Sequence, residues 1–435
     1  MLSVIDLTEQ ALDDYAGVLP RGRFDVKQAL AAVAPICDAV RDEGEAALRR
    51  FSAQFDHVSP DDLRVPAEAL AAAVDQLSPQ VRTAIEVSIE RRRRVCQAIE
   101  LEQDWRSVEV ARGAHVGNAL VPVERVGLYV PGGLAPLASS VLMNVVPAQE
   151  AGVDSLAVAT PPQAEYGGLP HPVTLAVCAL LGVDEVYAVG GAQAIAMFAH
   201  GVPGLCRRVD LVTGPGNIYV VGAKRYLRGV VGIDSEAGPT EIAVLADETA
   251  NPRYVAADLV SQAEHDPMAG SVLVTTSAEL AAQVNQQVAA QLAELATAER
   301  LQVALTGEQS GIILVRDIDQ GIDVVNAYAP EHLEIQASQA ARLARRIRNA
   351  GAIFIGDFSP VPLGDYSAGS THVLPTGGAA RYSSGLTVRS FMRSIHVVEY
   401  SAAALSEVSQ AVMSFADAEH LPGHAAAIRV RGEQQ

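Results

Sequence analysis

Basic side chains are scarce in this chain of 435 residues: 32 Lys and Arg stand against 51 Asp and Glu, a formal charge of -19. So acidic a chain repels a phosphate backbone, which argues against nucleic acid as a partner. The run Arg91 to Arg94 does not reverse that, because consecutive residues on a helix spread most of the way round it and read as a solvated face. Cysteine is equally thin. Cys37, Cys96, Cys178 and Cys206 lie far apart with no C-x-x-C pair, so neither a disulfide framework nor a thiolate zinc site is indicated. No segment runs about twenty apolar residues, and the N-terminus M-L-S-V-I-D-L-T-E-Q lacks a basic region before an apolar stretch. The expectation is a soluble, unexported protein of a reducing cytoplasm with no membrane partner.

What is present suffices for a large core: 49% of residues are hydrophobic, enough for more than one domain. The N-terminal part reads as helical. Phe24 before Asp25, with Gln28 three residues on, resembles a capping box with a hydrophobic staple position; Leu30, Val33, Cys37 and Val40 then keep helical spacing. A second helix is expected with Ser78 as cap and Pro79 as first residue, through Val81, Ile85 and Ile89. Near residue 121 the composition changes to strand, glycine loop, helix, repeated. Arg125 to Val130 ends in Pro131-Gly132-Gly133, Ser155 to Thr160 is β-rich, Glu185 to Val189 ends in Gly190-Gly191, and Val209 to Thr213 ends in Gly214-Pro215-Gly216-Asn217. Such alternation implies a parallel sheet covered by helices, the doubly wound α/β class. A second set, Glu241 to Ala246, Ser271 to Thr275, Gly311 to Val315 and Ala352 to Ile355, looks like another α/β unit, and a strand at Ser394 to Tyr400 precedes a helical tail.

Ligands of doubly wound sheets bind beyond the carboxyl ends of the strands, where the glycine loops should lie. Glycine lets backbone approach a phosphate, and a helix N-terminus offers free N–H groups. Yet none of the loops is G-x-G-x-x-G; the nearest, at 214–219, ends in Tyr219. On glycines alone, a dinucleotide site and ordinary tight turns both stand.

Chemistry concentrates in four histidine-bearing segments: S-Q-A-E-H-D at 261–266, P-E-H at 330–332, G-D-Y to T-H between 364 and 372, and E-H-L-P-G-H at 419–424. Histidine beside a carboxylate or amide binds a transition metal or moves protons. Asn251 and Pro252 should start a helix on which Gln262 and His265, three apart, share a face. Asp365 and His372 lie in a stretch too rich in Pro, Gly and Ser for helix or interior strand, and such a loop carries function more often than not. Pro330 biases Ala329 away from helix, placing Glu331 and His332 at an element boundary before the strand-like Leu333 to Ile335. Adjacent strand residues face opposite ways, so joint action of that pair requires a turn; otherwise it is an exposed pair.

The chain resembles histidinol dehydrogenase along nearly its whole length, through R-V-G-L-Y-V-P-G-G, A-V-G-G-A-Q-A-I-A, G-P-G-N-I-Y-V, D-S-E-A-G-P-T-E, S-Q-A-E-H-D, E-H-L-E-I, G-D-Y-S-A-G-S-T-H-V-L-P-T and S-S-G-L-T-V in order. That resemblance implies a zinc-bound, NAD-dependent oxidation of L-histidinol to L-histidine through the aldehyde, with two NAD used in turn. By motif, Gln262, His265, Asp365 and His424 correspond to the zinc ligands, and Glu331 and His332 to the acid/base pair. Tyr129, Gln193 and Asn217 match NAD contacts; Thr240, His332 and Glu419, with the zinc-ligand side chains, match substrate contacts. His372 would support the site from behind Asp365. Three positions depart from the commonest pattern: Thr240 where serine is usual, Thr371 for an asparagine, and Leu137-Ala138 for Y-P. None removes a proposed ligand or catalytic group.

The implied fold is two incomplete, Rossmann-like α/β domains with smaller terminal segments. Residues 1–24 would pack with the tail, 25–120 plus 240–380 would form the domain with metal and catalytic residues, 121–239 the domain with the NAD loops, and 381–435 a dimerisation segment exchanged in a homodimer. His424 and Glu419 would then serve the other subunit. Two alternatives share the segments: a related zinc and NAD enzyme of another small alcohol, and a metallohydrolase with a zinc-activated water.

Overall fold

The computed structural model describes residues 2–10, 12, 14–22, 26–102, 105–132, 136–236 and 238–432. The expected capping box at Phe24-Asp25 and the last glycine of Pro131-Gly132-Gly133 lie outside them. The chain forms two compact units, one of residues 1–100 and 124–391, the other of 101–123 and 392–435.

The larger unit contains two parallel sheets. In the first, the strands run in the order Val186–Ala188, Ser155–Thr160, Arg125–Tyr129, Leu211–Thr213, Gly232–Ile233. The chain thus begins in the middle, winds to one edge, and returns to wind to the other. The second has the order Val4–Asp6, Gly311–Leu314, Gly270–Thr275, Glu241–Ala246, His332–Gln336, Ala352–Ile355. Apart from its added edge strand Val4–Asp6 it repeats the same winding, starting from Glu241–Ala246. Both are doubly wound as expected, and the strands read as nearly unbroken apolar runs because helices cover both faces.

The helices form where local chemistry asks for them. Ser78 caps Pro79–Val95 by accepting from Val81 N at 3.3 Å, and Asn251 caps Pro252–Ala263 by accepting from Arg253 N at 2.9 Å. In Val26–Glu43, Val33, Cys37 and Val40 are fully buried against Ala157, Ile195 and Val220 of the five-stranded unit. The apolar face of that helix matches the helices Gly191–His200 and Ile218–Leu227, and burying each of its large side chains contributes about 1.5–3 kcal/mol. Residues 4–6 complete the edge of the six-stranded sheet beside Gly311–Leu314.

The smaller unit is an antiparallel sheet, Trp105–Ala111, Ala114–Pro122 and Met392–Tyr400, followed by the helices Ala402–Ala418 and Pro422–Gly432. The hairpin before residue 121 was not anticipated, because Val108 and Val110 alternate with polar residues but stay exposed. Among the described residues no helix is long and apolar enough to cross a membrane.

The loop after Leu211–Thr213 sits where the five-stranded sheet changes winding direction. Gly214 has φ +113°, and a Cβ on it would lie 2.0 Å from the carbonyl oxygen of Tyr129. Only glycine fits. Gly214 N donates to Asp234 Oδ2 at 2.9 Å, while buried Lys224 bonds Gly214 O and meets Asp234 Oδ1 at 2.6 Å. One ion pair therefore pins both polar groups of the turn. Gly214→Ala is expected to lower stability by about 3 kcal/mol or more, read as a fall in the denaturation midpoint; an unchanged midpoint would mean that the loop relaxes without cost.

Candidate active site

Two neighbouring strands of the six-stranded sheet bring the central residues together. His332 pairs with Ile242, so Glu331 and Thr240 lie just before paired strands, at their amino ends. Ala329 adopts a left-handed conformation, φ 50°, and this sharp turn before Pro330 swings Glu331 out of strand geometry. The adjacent pair can then act jointly: Glu331 Oε2 lies 3.6 Å from His332 Nδ1. That oxygen accepts from Glu241 N at 2.9 Å, taking the place of the next carbonyl in the strand ladder, and also from the hydroxyl of Thr240. Thr240 in turn accepts from Gln262 Nε2 at 2.6 Å. The chain Gln262 to Thr240 to Glu331 leaves Gln262 Oε1 buried with no hydrogen-bond partner, and His332 Nδ1 likewise.

Burial sets the protonation of this pair. It pushes the Glu331 carboxyl up to about 8, against the two hydrogen bonds that favour the ionised form. It pushes the His332 imidazole down to about 4, with the Asp365 charge opposing. At neutral pH His332 is therefore a neutral imidazole able to accept a proton. Glu331 needs positive charge nearby to serve as a carboxylate.

Asp365 joins this group from the far side. Contrary to expectation its segment is partly helical: Val361–Asp365 is one short turn entered through Pro360, with Pro362 inside its first turn where no N–H is needed. Asp365 Oδ2 is 3.8 Å from His265 Nε2, and Asp365 Oδ1 is 3.9 Å from His372 Nδ1. His265 is not on the helix face expected for it; Pro252–Ala263 ends first, and His265 N bonds back to Gln262 O in a terminal turn. His372 contacts Asp365 O at 3.3 Å and Ser140 Oγ at 3.0 Å. Ser140 belongs to Ser139–Glu150, the helix that follows the central strand of the five-stranded sheet. No sequence signal singled it out.

The donor chemistry suits a cation bound by nitrogen and oxygen. Gln262 supplies an unpaired buried amide oxygen, and Asp365 and His265 face each other without a hydrogen bond. Among the described residues, no group of three or more His, Cys, Asp or Glu is set to hold a metal. His424 and Glu419 belong to the smaller unit, in and just before Pro422–Gly432.

The glycine-loop residues gather at the carboxyl edge of the five-stranded sheet. Tyr129 ends the central strand, and its buried phenol, pushed up to about 12 by desolvation, accepts from Gly191 N at 3.0 Å. Gln193 is buried in the first turn of Gly191–His200. Asn217 caps Ile218–Leu227, its oxygen accepting from Tyr219 N at 3.1 Å and Val220 N at 3.2 Å, which leaves its amide N–H groups for a ligand. Tyr129 and Asn217 flank the point where winding reverses, the usual crevice for a nucleotide.

Comparison with known proteins agrees over the full length. The family model for histidinol dehydrogenase matches residues 19–432. The chain is 64% identical to the histidinol dehydrogenase of Cutibacterium acnes, covering 99% of each, and 60% identical to that of Thermobifida fusca, covering 99% of this chain and 98% of the other. The crystal structure of histidinol dehydrogenase from Elizabethkingia anophelis superposes with a TM-score of 0.93 at 32% identity, over 100% of this chain and 98% of that one.

Thr240 tests the electrostatics. Replacing it by valine removes a hydrogen bond that favours the Glu331 carboxylate, so the Glu331 midpoint rises above about 8, whereas Thr240→Ser leaves it in place. pH-difference infrared spectra of the carboxyl stretch that disappears in Glu331→Gln report the shift; equal midpoints in all three hydroxyl-site forms would refute the assignment.

Proposed function

The chain belongs to the histidinol dehydrogenase family, and we propose that it oxidises L-histidinol to L-histidine through L-histidinaldehyde, the final steps of histidine biosynthesis, with two NAD as hydride acceptors. The observation that carries this is the buried Thr240–Glu331–His332 group beside Asp365, His265 and the unpaired Gln262 oxygen. Removing a hydride from an alcohol requires that its hydroxyl proton leave as well, and neutral His332 accepts that proton. The aldehyde has no O–H to lose until it is hydrated. As water attacks, Glu331 as carboxylate takes a proton from it while protonated His332 returns its own to the carbonyl oxygen, and the resulting gem-diol carries both the C–H hydride and the O–H proton of a second oxidation. His332 accepts again, and the acid forms at the same site.

Gln262, His265 and Asp365 would hold one zinc per subunit, with His424 as a fourth ligand. Bound there, zinc would supply positive charge that lowers Glu331, orient the substrate's imidazole and amine, and polarise the reacting oxygen. Thr240 and Glu419 would complete the substrate contacts. Tyr129, Gln193 and Asn217 would line the NAD crevice. The four unpaired cysteines suit a cytoplasmic enzyme.

The tail is proposed to be exchanged in a homodimer, so that His424 and Glu419 complete the partner's site. Exposed Val398 (68%) and Phe415 (70%) in the smaller unit support an interface there. Mixing a Glu331→Gln chain with a His424→Ala chain should recover part of the activity; no recovery counts against exchange.

Two NADH should form per histidinol consumed, and a chelator should abolish the reaction. Substrate turnover without NADH would favour a hydrolase, and no NADH with histidinol but turnover of another alcohol would favour a related dehydrogenase. His332→Asn should lower kcat by about 10²- to 10⁴-fold with zinc retained, the loss expected for a positioned base.

A further inference from the structure

The strand His332–Gln336 is buried throughout, yet three of its five residues are polar. His332, Glu334 and Gln336 alternate, so they share one face, while Leu333 and Ile335 pack into the apolar core on the other. Register with Ile242 and Val244 puts that polar face beneath the helix Pro252–Ala263, whose Val255, Ala256 and Leu259 pack against the same two residues. An isolated polar stripe there would be costly. It is not isolated: Gln336 Nε2 donates to Asp258 Oδ2 and to Glu334 Oε2, both at 2.9 Å, and Glu334 Oε1 accepts from Val361 N at 3.0 Å. Burial raises both the Asp258 and the Glu334 carboxyl, and each carboxyl adds to the other's environment.

Each partner sits on an element that carries a residue of the active site. Asp258 is one helical turn from Gln262, Glu334 is two residues along the strand from His332, and Val361 opens the short helix that ends at Asp365. Five residues are too few for that helix to be stable alone, and Glu334 satisfies one of its free N–H groups. The ring of Phe354 fills the space beside it, 6.0 Å from the His332 ring and so close to Gly364 that a Cβ there would approach within 2.8 Å.

We propose that Asp258, Glu334 and Gln336 are positioning residues for the dehydrogenase reaction, a buried acid pair and amide that lock the helix of Gln262, the strand of His332 and the turn of Asp365 into one arrangement. The inference rests on the ligand and base roles proposed above. It explains why a buried strand and the helix above it each keep a carboxyl in the interior, where leucine would pack more cheaply. The acid pair acts through the residues it places and touches no reacting atom.

The test measures zinc affinity by competition with a chromophoric chelator, together with kcat, KM and thermal unfolding, on the full-length holoenzyme. Glu334→Gln keeps an acceptor for Val361 N and a donor toward Asp258 and loses only the contact from Gln336 Nε2, so it stays within about twofold of wild type. Glu334→Leu and Asp258→Leu bind zinc about tenfold more weakly and lose about tenfold in kcat, with KM for NAD unchanged. Glu334→Asp, which keeps the acid but shortens the arm by one methylene, shows the same loss and covers the case of a leucine variant that does not fold. Folded variants with native zinc affinity and kcat overturn the positioning role. A wild-type chain that takes up no zinc overturns the ligand assignment, and this inference with it.

Discussion

The arrangement depends on the parallel pairing of Glu241–Ala246 with His332–Gln336, two strands adjacent in the sheet but about 90 residues apart in the chain. Their register sets Glu331 opposite Glu241, so a side-chain carboxylate continues the ladder by accepting from Glu241 N. A one-residue slip would turn His332, Glu334 and Gln336 to the opposite face and break every polar contact described. Register is guarded by the apolar residues between them: Leu333 and Ile335 belong to one core, Ile242 and Val244 to the other. Packing on both faces of the sheet thus holds the position of the Glu331–His332 pair at its edge.

Burial then does two jobs with opposite signs. It keeps His332 neutral, which a base requires, and it makes Glu331 reluctant to ionise, which a base does not. The two hydrogen bonds to Glu331 Oε2 offset part of that second cost. Positive charge beside the carboxyl would offset the rest. Such dependence ties the ionisation of Glu331 to the charge placed beside it.

Much of the fold was legible because buried parallel strands announce themselves. Ser155–Thr160, Glu241–Ala246 and Ala352–Ile355 coincide residue for residue with their apolar runs, and the Ser78 and Asn251 caps stand where expected. The hairpin Trp105–Pro122 was missed because its side chains face solvent and leave no apolar run. The association of Val26–Glu43 with the five-stranded sheet was equally hidden, since one amphipathic face fits any apolar surface. Within the site, chemistry-bearing segments were visible one by one, whereas Thr240 bridging Gln262 and Glu331 arises only from strand order. Asp258 and Glu334 left no separate signal, because an acidic residue in a sequence reads as exposed until its partners are known.

The two sheets share a winding but use opposite edges. In the five-stranded sheet the glycine loops occupy the carboxyl edge, with the Lys224–Asp234 pair stiffening the loop at the reversal of winding. In the six-stranded sheet the reactive side chains occupy the amino edge, next to the same reversal. A dehydrogenase must separate a hydride from a proton, and two edges can serve that division if they are held in contact. The helix Ser139–Glu150 starts beyond the carboxyl edge of one sheet, and its Ser140 meets His372, which faces Asp365. One hydrogen bond and one imidazole thus link the helix after the central strand to the segment of Asp365. The link is short because the fold placed the loop end of one winding against the acid end of the other.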